Sequence, residues 1–220
     1  EKPSLDVVKV YLARVEDNLV NVKVLSLFTI KNAPLDHFDI LAPVRLRDSI
    51  EIGGEGIKTI LKKPEEDGKN VRITVQTVSG IEHSYLMEVS FNHYIGKDGV
   101  FELPHIVFPG AHSRTEFVSV ETATAYHIET RAPEALQEVE RETVPALPAG
   151  INPNNVLWAY RVAGSRDWNY RLELKRLERE KLIKATILRE DIKTLIIPQG
   201  YAIHEVNFTA NNRVLQFLPL

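Results

Sequence analysis

The sequence predicts an all-β protein, a mainly antiparallel β-sandwich in two layers or subdomains. Three observations carry that expectation. Apolar and polar residues alternate with a period of two, as in Val71, Ile73 and Val75 against Arg72, Thr74 and Gln76, or Tyr85, Met87, Val89 and Phe91 against Ser84, Glu88 and Ser90, the pattern of half-buried antiparallel strands. Turn signals such as EEDGKN, GKDG and FPGAHS separate these runs, at the spacing of roughly ten residues per strand that suits a sandwich. Strong helical periodicity is missing before residue 130, so a short helix in a connector is the most that is expected.

In chain order, strands are expected in DVVKVYLARV, LVNVKVLSLFTIKN, HFDILAP, DSIEIG, the two alternating runs above, GVFEL, EFVSVE and AYHIET. The runs 71–76 and 85–91 read as a hairpin through VSGI. Apolar residues face each other there only with equal parity, as with Val75 opposite Tyr85, which calls for an odd loop or a bulge at Ser79-Gly80. Residues 1–130 form the first β-sandwich domain in this reading. Four prolines, a charged stretch and an Asn/Pro turn cluster mark 131–154 as a connector. Residues 155–220 form a second antiparallel layer or subdomain. Within it, RLELKRLEREKLIKATILRED has good helix formers, but Tyr170, Leu172 and Leu174 alternate with Arg171, Glu173 and Lys175, which favours strands.

Composition narrows the partners. A chain of 220 residues, 44% hydrophobic, can bury a sizeable core. Its formal charge of −3, from 27 basic and 30 acidic residues, supplies no overall field for a polyanion or an anionic membrane. The absence of cysteine removes disulfides, thiolate metal sites and cysteine nucleophiles. No apolar run approaches the length of a membrane span. NNRVLQFLPL ends the sequence inside an apolar, strand-like run, a bare edge that a native terminus avoids, so the chain is expected to be an excised piece of a longer protein.

Chemical motifs are weak. EIGGEGIK lacks a third glycine at the required spacing and the following helix of a phosphate loop, so a β-turn is expected. The histidines at 37, 83, 93, 105, 112, 127 and 204 have no metal-ligand spacing, and Asp98-Gly99 suits a hairpin turn better than a calcium loop. No nucleophile elbow is present. Carboxylates are too plentiful for a glycosidase pair to be tested by sequence. Between Arg161 and Arg189 the basic residues are interrupted by Glu173, Glu178 and Glu180, a mixed-sign surface that argues against nucleic acid. No metal and no cofactor is expected.

The remaining candidate is VLWAYRVAGSRDWNYRLEL, residues 156–174, which holds both tryptophans. As a hairpin with Tyr160 opposite Tyr170, it would put Val156, Trp158, Tyr160 and Val162 on one face with Trp168, Tyr170, Leu172 and Leu174. Trp158, Tyr160, Trp168 and Tyr170 then make either a platform for stacking sugar rings or, as their aliphatic company favours, the inner face of a sandwich.

FTIKNAPLDHFDILAPVRLRDSIEIGGEGI, the WAYRV and WNYRLELKRLE pair, and YAIHEVNFTANNRVLQFLPL resemble segments of long, β-rich exported bacterial proteins of unassigned activity. That resemblance covers about half the chain, carries no catalytic residues, and implies an extracytoplasmic (periplasmic or extracellular) location and a multidomain parent. The expected function is a non-catalytic structural or interaction module whose partners are adjacent domains or other proteins. The alternative is a carbohydrate-binding or accessory module of a glycan-active protein.

Overall fold

The structure, a computed structural model, describes residues 2–16, 19–122, 126–131, 135–145, 156–162, 168, 170–176, 185–198 and 200–212. The protein is all-β, with thirteen strands and two short 3-10 turns among the described residues. Its contacts divide it into two units, 1–176 and 177–220. The division thus falls after Arg176 and not in 131–154, because strands near 156–176 pair with strands from the first 131 residues.

In the first unit, β1 (Ser4–Val15) lies between β2 (Leu19–Pro43) and β7 (Ala111–Thr122). The β1–β2 pair is antiparallel, whereas β1 and β7 run parallel, so the large sheet is mixed. It continues on one side through β5 (Asn70–Tyr94) to β3 (Glu51–Gly54) and β4 (Ile57–Pro64), and on the other through β10 (Val156–Val162) to β9 (Leu136–Glu138). A second sheet holds β6 (Val100–Leu103), β11 (Tyr170–Arg176) and β8 (Tyr126–Arg131), with β11 in the centre. Phe101, Leu103, Ile128, Tyr170, Leu172 and Leu174 of this small sheet join one apolar layer with Tyr11, Val22, Val24, Val89, Val118 and Tyr160 of the large one.

The opposite face of the large sheet is covered as well. Val144, from the stretch expected to be a connector, packs with Val10, Leu12, Leu25, Phe117, Val156 and Ala159. Residues 136–145 therefore belong to the packed body, through the β9–β10 ladder and this second apolar cluster.

Two expected turns are corrected. Val71–Gln76 and Tyr85–Phe91 do not form a hairpin; both lie on the single strand β5, with Val75 opposite Phe38 and Tyr85 opposite Phe28 of the equally long β2. The irregularity around Ser79-Gly80 is a break in the β2–β5 ladder, where Asn32 and His83 adopt positive φ. Phe38 closes the inside of this break, stacked on Tyr85 with ring centroids 5.0 Å apart and tilted against Phe28 at 5.0 Å. The period-two pattern is continuous through the break, so pattern alone could not tell a bent strand from two strands joined by a turn.

GKDG is likewise a turn but not a hairpin: it leads from β5 in the large sheet to β6 in the small one. Gly99 has φ of 65° and donates its N–H to the Gly96 carbonyl at 3.1 Å, while its own carbonyl accepts the Leu174 N–H at 2.7 Å. A side chain at this position would meet the Leu174 carbonyl oxygen. The left-handed conformation costs an L-residue about 1–2 kcal/mol before any clash. Gly99→Ala is therefore expected to destabilise the protein by at least that amount, read as a lower midpoint in urea unfolding; an unchanged midpoint would contradict the assigned turn.

In the second unit, β12 (Ala185–Ile197) and β13 (Tyr201–Asn212) form an antiparallel hairpin. The strand reading of 171–190 agrees with β11 and β12, and residues 177–184 lie outside the described residues. So does the terminal run from 213 to 220.

Candidate functional site

The four sequence-predicted aromatics are brought together, but not as a hairpin. β10 sits between β7 and β9 in the large sheet, and β11 between β6 and β8 in the small one. Tyr160 and Tyr170 meet across the space between the sheets, with ring centroids 5.4 Å apart. Tyr160, Trp168 and Tyr170 are buried, and Trp158 is half-buried against the same apolar layer. Three of the four rings have no face open to a sugar. A β-bulge between Val156 and Trp158 shifts the register of β10 against β7, so Val156 joins the cluster on the other face of the sheet, contrary to the simple parity count.

Around Trp168 lies a polar cluster that sequence reasoning missed. Lys9 on β1 and Glu116 on β7 are direct neighbours in the parallel ladder, with Lys9 Nζ 2.7 Å from Glu116 Oε1. Their side chains are 3% and 9% exposed. Lys9 also donates to the Ile106 carbonyl at 2.9 Å. Trp168 Nε1 donates to Glu116 Oε2 at 3.1 Å, and His105 Nε2 lies 3.3 Å from the same oxygen and 3.4 Å from Lys9 Nζ. Tyr11 donates its hydroxyl to the Ile106 carbonyl at 3.2 Å and accepts the Ile106 N–H at 3.0 Å.

Electrostatics follow from burial. Desolvation draws the Lys9 ammonium below its ordinary value, and the adjacent Glu116 carboxylate draws it part of the way back. Desolvation and then the Glu116 charge push the Tyr11 phenol well above its ordinary value. Tyr170 is pushed up mainly by burial. Lys9 Nζ and Trp168 Nε1 are both bonded to the Glu116 carboxylate, which makes the cluster a fastening between strands. Its signal in the sequence was parity: Lys9 shares a face with Val7, Tyr11 and Ala13, and Glu116 with Val118 and Val120. A charge on the apolar side of each of two strands marks a buried pair.

The grooves lie elsewhere. One of about 600 Å³ runs beside the edge of β10, lined by Glu138, Glu140, Arg141, Glu142, Leu157 and Trp158. Another, of about 260 Å³, sits at the break in the β2–β5 ladder beside Lys31, Asn32, Glu82 and His83. Among the described residues no group of three or more His, Asp or Glu side chains is placed to hold a metal ion, and no helix is long and apolar enough to cross a membrane.

No family model matches the chain, and no curated protein matches it as a relative. Among solved structures, the chain is similar to a candidate protease from Parabacteroides distasonis, at 9% identity over 79% of this chain and 40% of that one, with a TM-score of 0.39. It is similar to LTA4 hydrolase from yeast at 10% identity over 91% of this chain and 31% of that one, with a TM-score of 0.40. The chain thus spans less than half the length of either protein, and neither likeness bears on its function.

Two outcomes follow. Removing one member of a buried ion pair strands the other, at a cost of about 3–5 kcal/mol. Glu116→Leu is expected to lose that much stability in denaturant unfolding, and a loss under about 1 kcal/mol, typical of an exposed pair, would refute the buried placement. The second concerns alkaline pH. Tyr11 and Tyr170 have raised folded values, so their contribution is complete below the ordinary tyrosine value of 10.0 and is lost as pH rises above it. Lys9, with a lowered value, acts oppositely below 10.5. Absorbance at 295 nm should show both tyrosines ionising only as the protein unfolds; reversible ionisation of all seven tyrosines in the folded state would contradict this.

Proposed function

We propose that the chain is a non-catalytic structural and interaction module of a larger extracytoplasmic bacterial protein. The observation that carries this reading is the β12–β13 hairpin, taken by itself. Ile192 stands opposite Val206, Glu190 opposite Phe208, and Leu195 opposite Ile203, so both faces carry large apolar side chains. Ile196 is 76% exposed and Tyr201 72%. A two-stranded hairpin is marginal alone in water, and contiguous exposed apolar surface of this kind marks an interaction site. The extracytoplasmic location and multidomain parent rest on the sequence resemblance. The carbohydrate-binding alternative is supported only by Trp158, beside the groove of Glu138, Glu140, Arg141 and Glu142.

Ile192→Lys with Ile196→Lys, in the full chain, tests the hairpin. Binding of the dye 8-anilinonaphthalene-1-sulfonate is expected to fall, with stability changed by no more than about 0.5 kcal/mol per site, as for exposed positions. Unchanged dye binding, or a large loss of stability, would mean that these side chains are covered within the chain. Turnover on a panel of glycans and esters, abolished by changing one acidic residue, would replace the proposal with an enzymatic one. Shifts of tryptophan fluorescence with polysaccharide, lost in Trp158→Ala, would favour the glycan alternative.

A further inference from the structure

We infer that the buried Lys9–Glu116 pair is a register lock: it selects which residues of β7 face the small sheet, a choice that the apolar pattern of β7 leaves open.

The β1–β7 ladder is the parallel one among the described pairings of the first unit, and 95 positions separate the two strands. An antiparallel hairpin inherits its register from its turn, but parallel neighbours have no such turn. Register must then come from side chains. The ladder itself contains a shift: Val7 pairs with Ser113, but Val8 pairs with Thr115, leaving residue 114 as the extra residue of a bulge. Without that bulge, β7 would slide by one residue and turn every side chain beyond it to the opposite face.

Apolar burial does not forbid the slide. In the observed register Val118 and Val120 face the inner apolar layer and Phe117 the outer cluster. After the slide, Phe117, Ser119 and Glu121 would face inward, and Val118 and Val120 would lie outward opposite Leu12 and Arg14. Both faces of the sheet carry buried apolar side chains, so each register offers Phe117, Val118 and Val120 an apolar face. Charge is what separates them. The slide would put Thr115 opposite Lys9 and turn Glu116 to the outer face. Lys9 would then be a buried ammonium without its carboxylate, and Trp168 Nε1, now bonded to Glu116, would lose its acceptor. Fixing register is the best-attested use of a buried polar pair.

The chain has no cysteine, so register can be read by cross-linking. Arg14 pairs with Glu121 in the observed ladder and would pair with Val120 after the slide. Two reporters, Arg14→Cys with Glu121→Cys and Arg14→Cys with Val120→Cys, are built into the full chain, with and without Lys9→Met and Glu116→Leu together. With Lys9 and Glu116 present, only the first reporter should form its disulfide under mild oxidation. Without them, the second should form in comparable yield. If the first alone still forms, the pattern or the bulge sets the register and the proposal fails. A pairless protein that does not fold also overturns it, because two registers of similar apolar fit require a compact state. Glu116→Gln, which keeps the shape and removes the charge, gives a second reading: a single, unchanged register there shows that charge is not the lock.

Discussion

One carboxylate collects contacts from three separated parts of the first unit. Glu116 receives Lys9 from the neighbouring strand, approaches His105 on the segment that crosses from β6 to β7, and accepts the indole N–H of Trp168 ahead of β11. A buried carboxylate without such partners would be too costly to keep. The folded state can therefore hold Glu116 only when all three segments are in place. Tyr11 extends the dependence by holding both backbone groups of Ile106, and the next residue, Val107, bridges to Leu41 on β2 through bonds of 2.8 and 3.0 Å.

The need for this anchorage follows from the position of β1. Val10 and Leu12 face one apolar cluster, while Val7, Tyr11 and Ala13 face the other. A strand covered on both faces reads as a nearly continuous apolar run, and such a run specifies burial without specifying direction. The antiparallel β2 begins four positions after β1 ends, and Glu16 donates its N–H to the Leu19 carbonyl at 2.9 Å, so nearness in the sequence aligns it. The parallel neighbour β7 cannot, and it is there that a pair of charges has replaced apolar side chains. Packing supplies most of the stabilisation in this region; the polar cluster supplies the discrimination.

The features legible in the sequence are those that depend on one strand at a time. Alternation places Trp168, Tyr170, Leu172 and Leu174 on one buried face, as found, and it placed strands over 71–76 and 85–91 correctly. Pairing is a property of two strands, and here the reading failed: β10 and β11 face each other from different sheets, and β5 runs on where a turn was expected. Gly80 and Gly99 show why. A glycine reports that the backbone has an unusual conformation or a close neighbour, and Gly80 does approach Pro34 while Gly99 approaches Leu174. It does not report whether the chain then reverses, bends or changes sheet. The bulge ahead of Trp158 has the same character, since one extra residue reverses the parity of Val156 without altering its composition. Lys9 and Glu116 were legible in a weaker sense. Each interrupts the apolar side of an alternating strand, but only the ladder makes them partners.

The two units solve the burial of apolar side chains differently. In the first, each face of the large sheet is covered from within the chain, one by the small sheet and the other in part by Val139 and Val144. Among the described residues of the second, the hairpin has its own ladder, which satisfies backbone groups along one edge of each strand while leaving Ile192, Ile196 and Phe208 to the faces. Its polar pairs are local: Thr194 contacts His204 at 2.8 Å and Arg189 reaches Asp191 two residues along. Contacts of this kind, at exposed positions, contribute little to stability. Among the described residues the hairpin's apolar side chains remain exposed, which is what the proposed interaction role rests on.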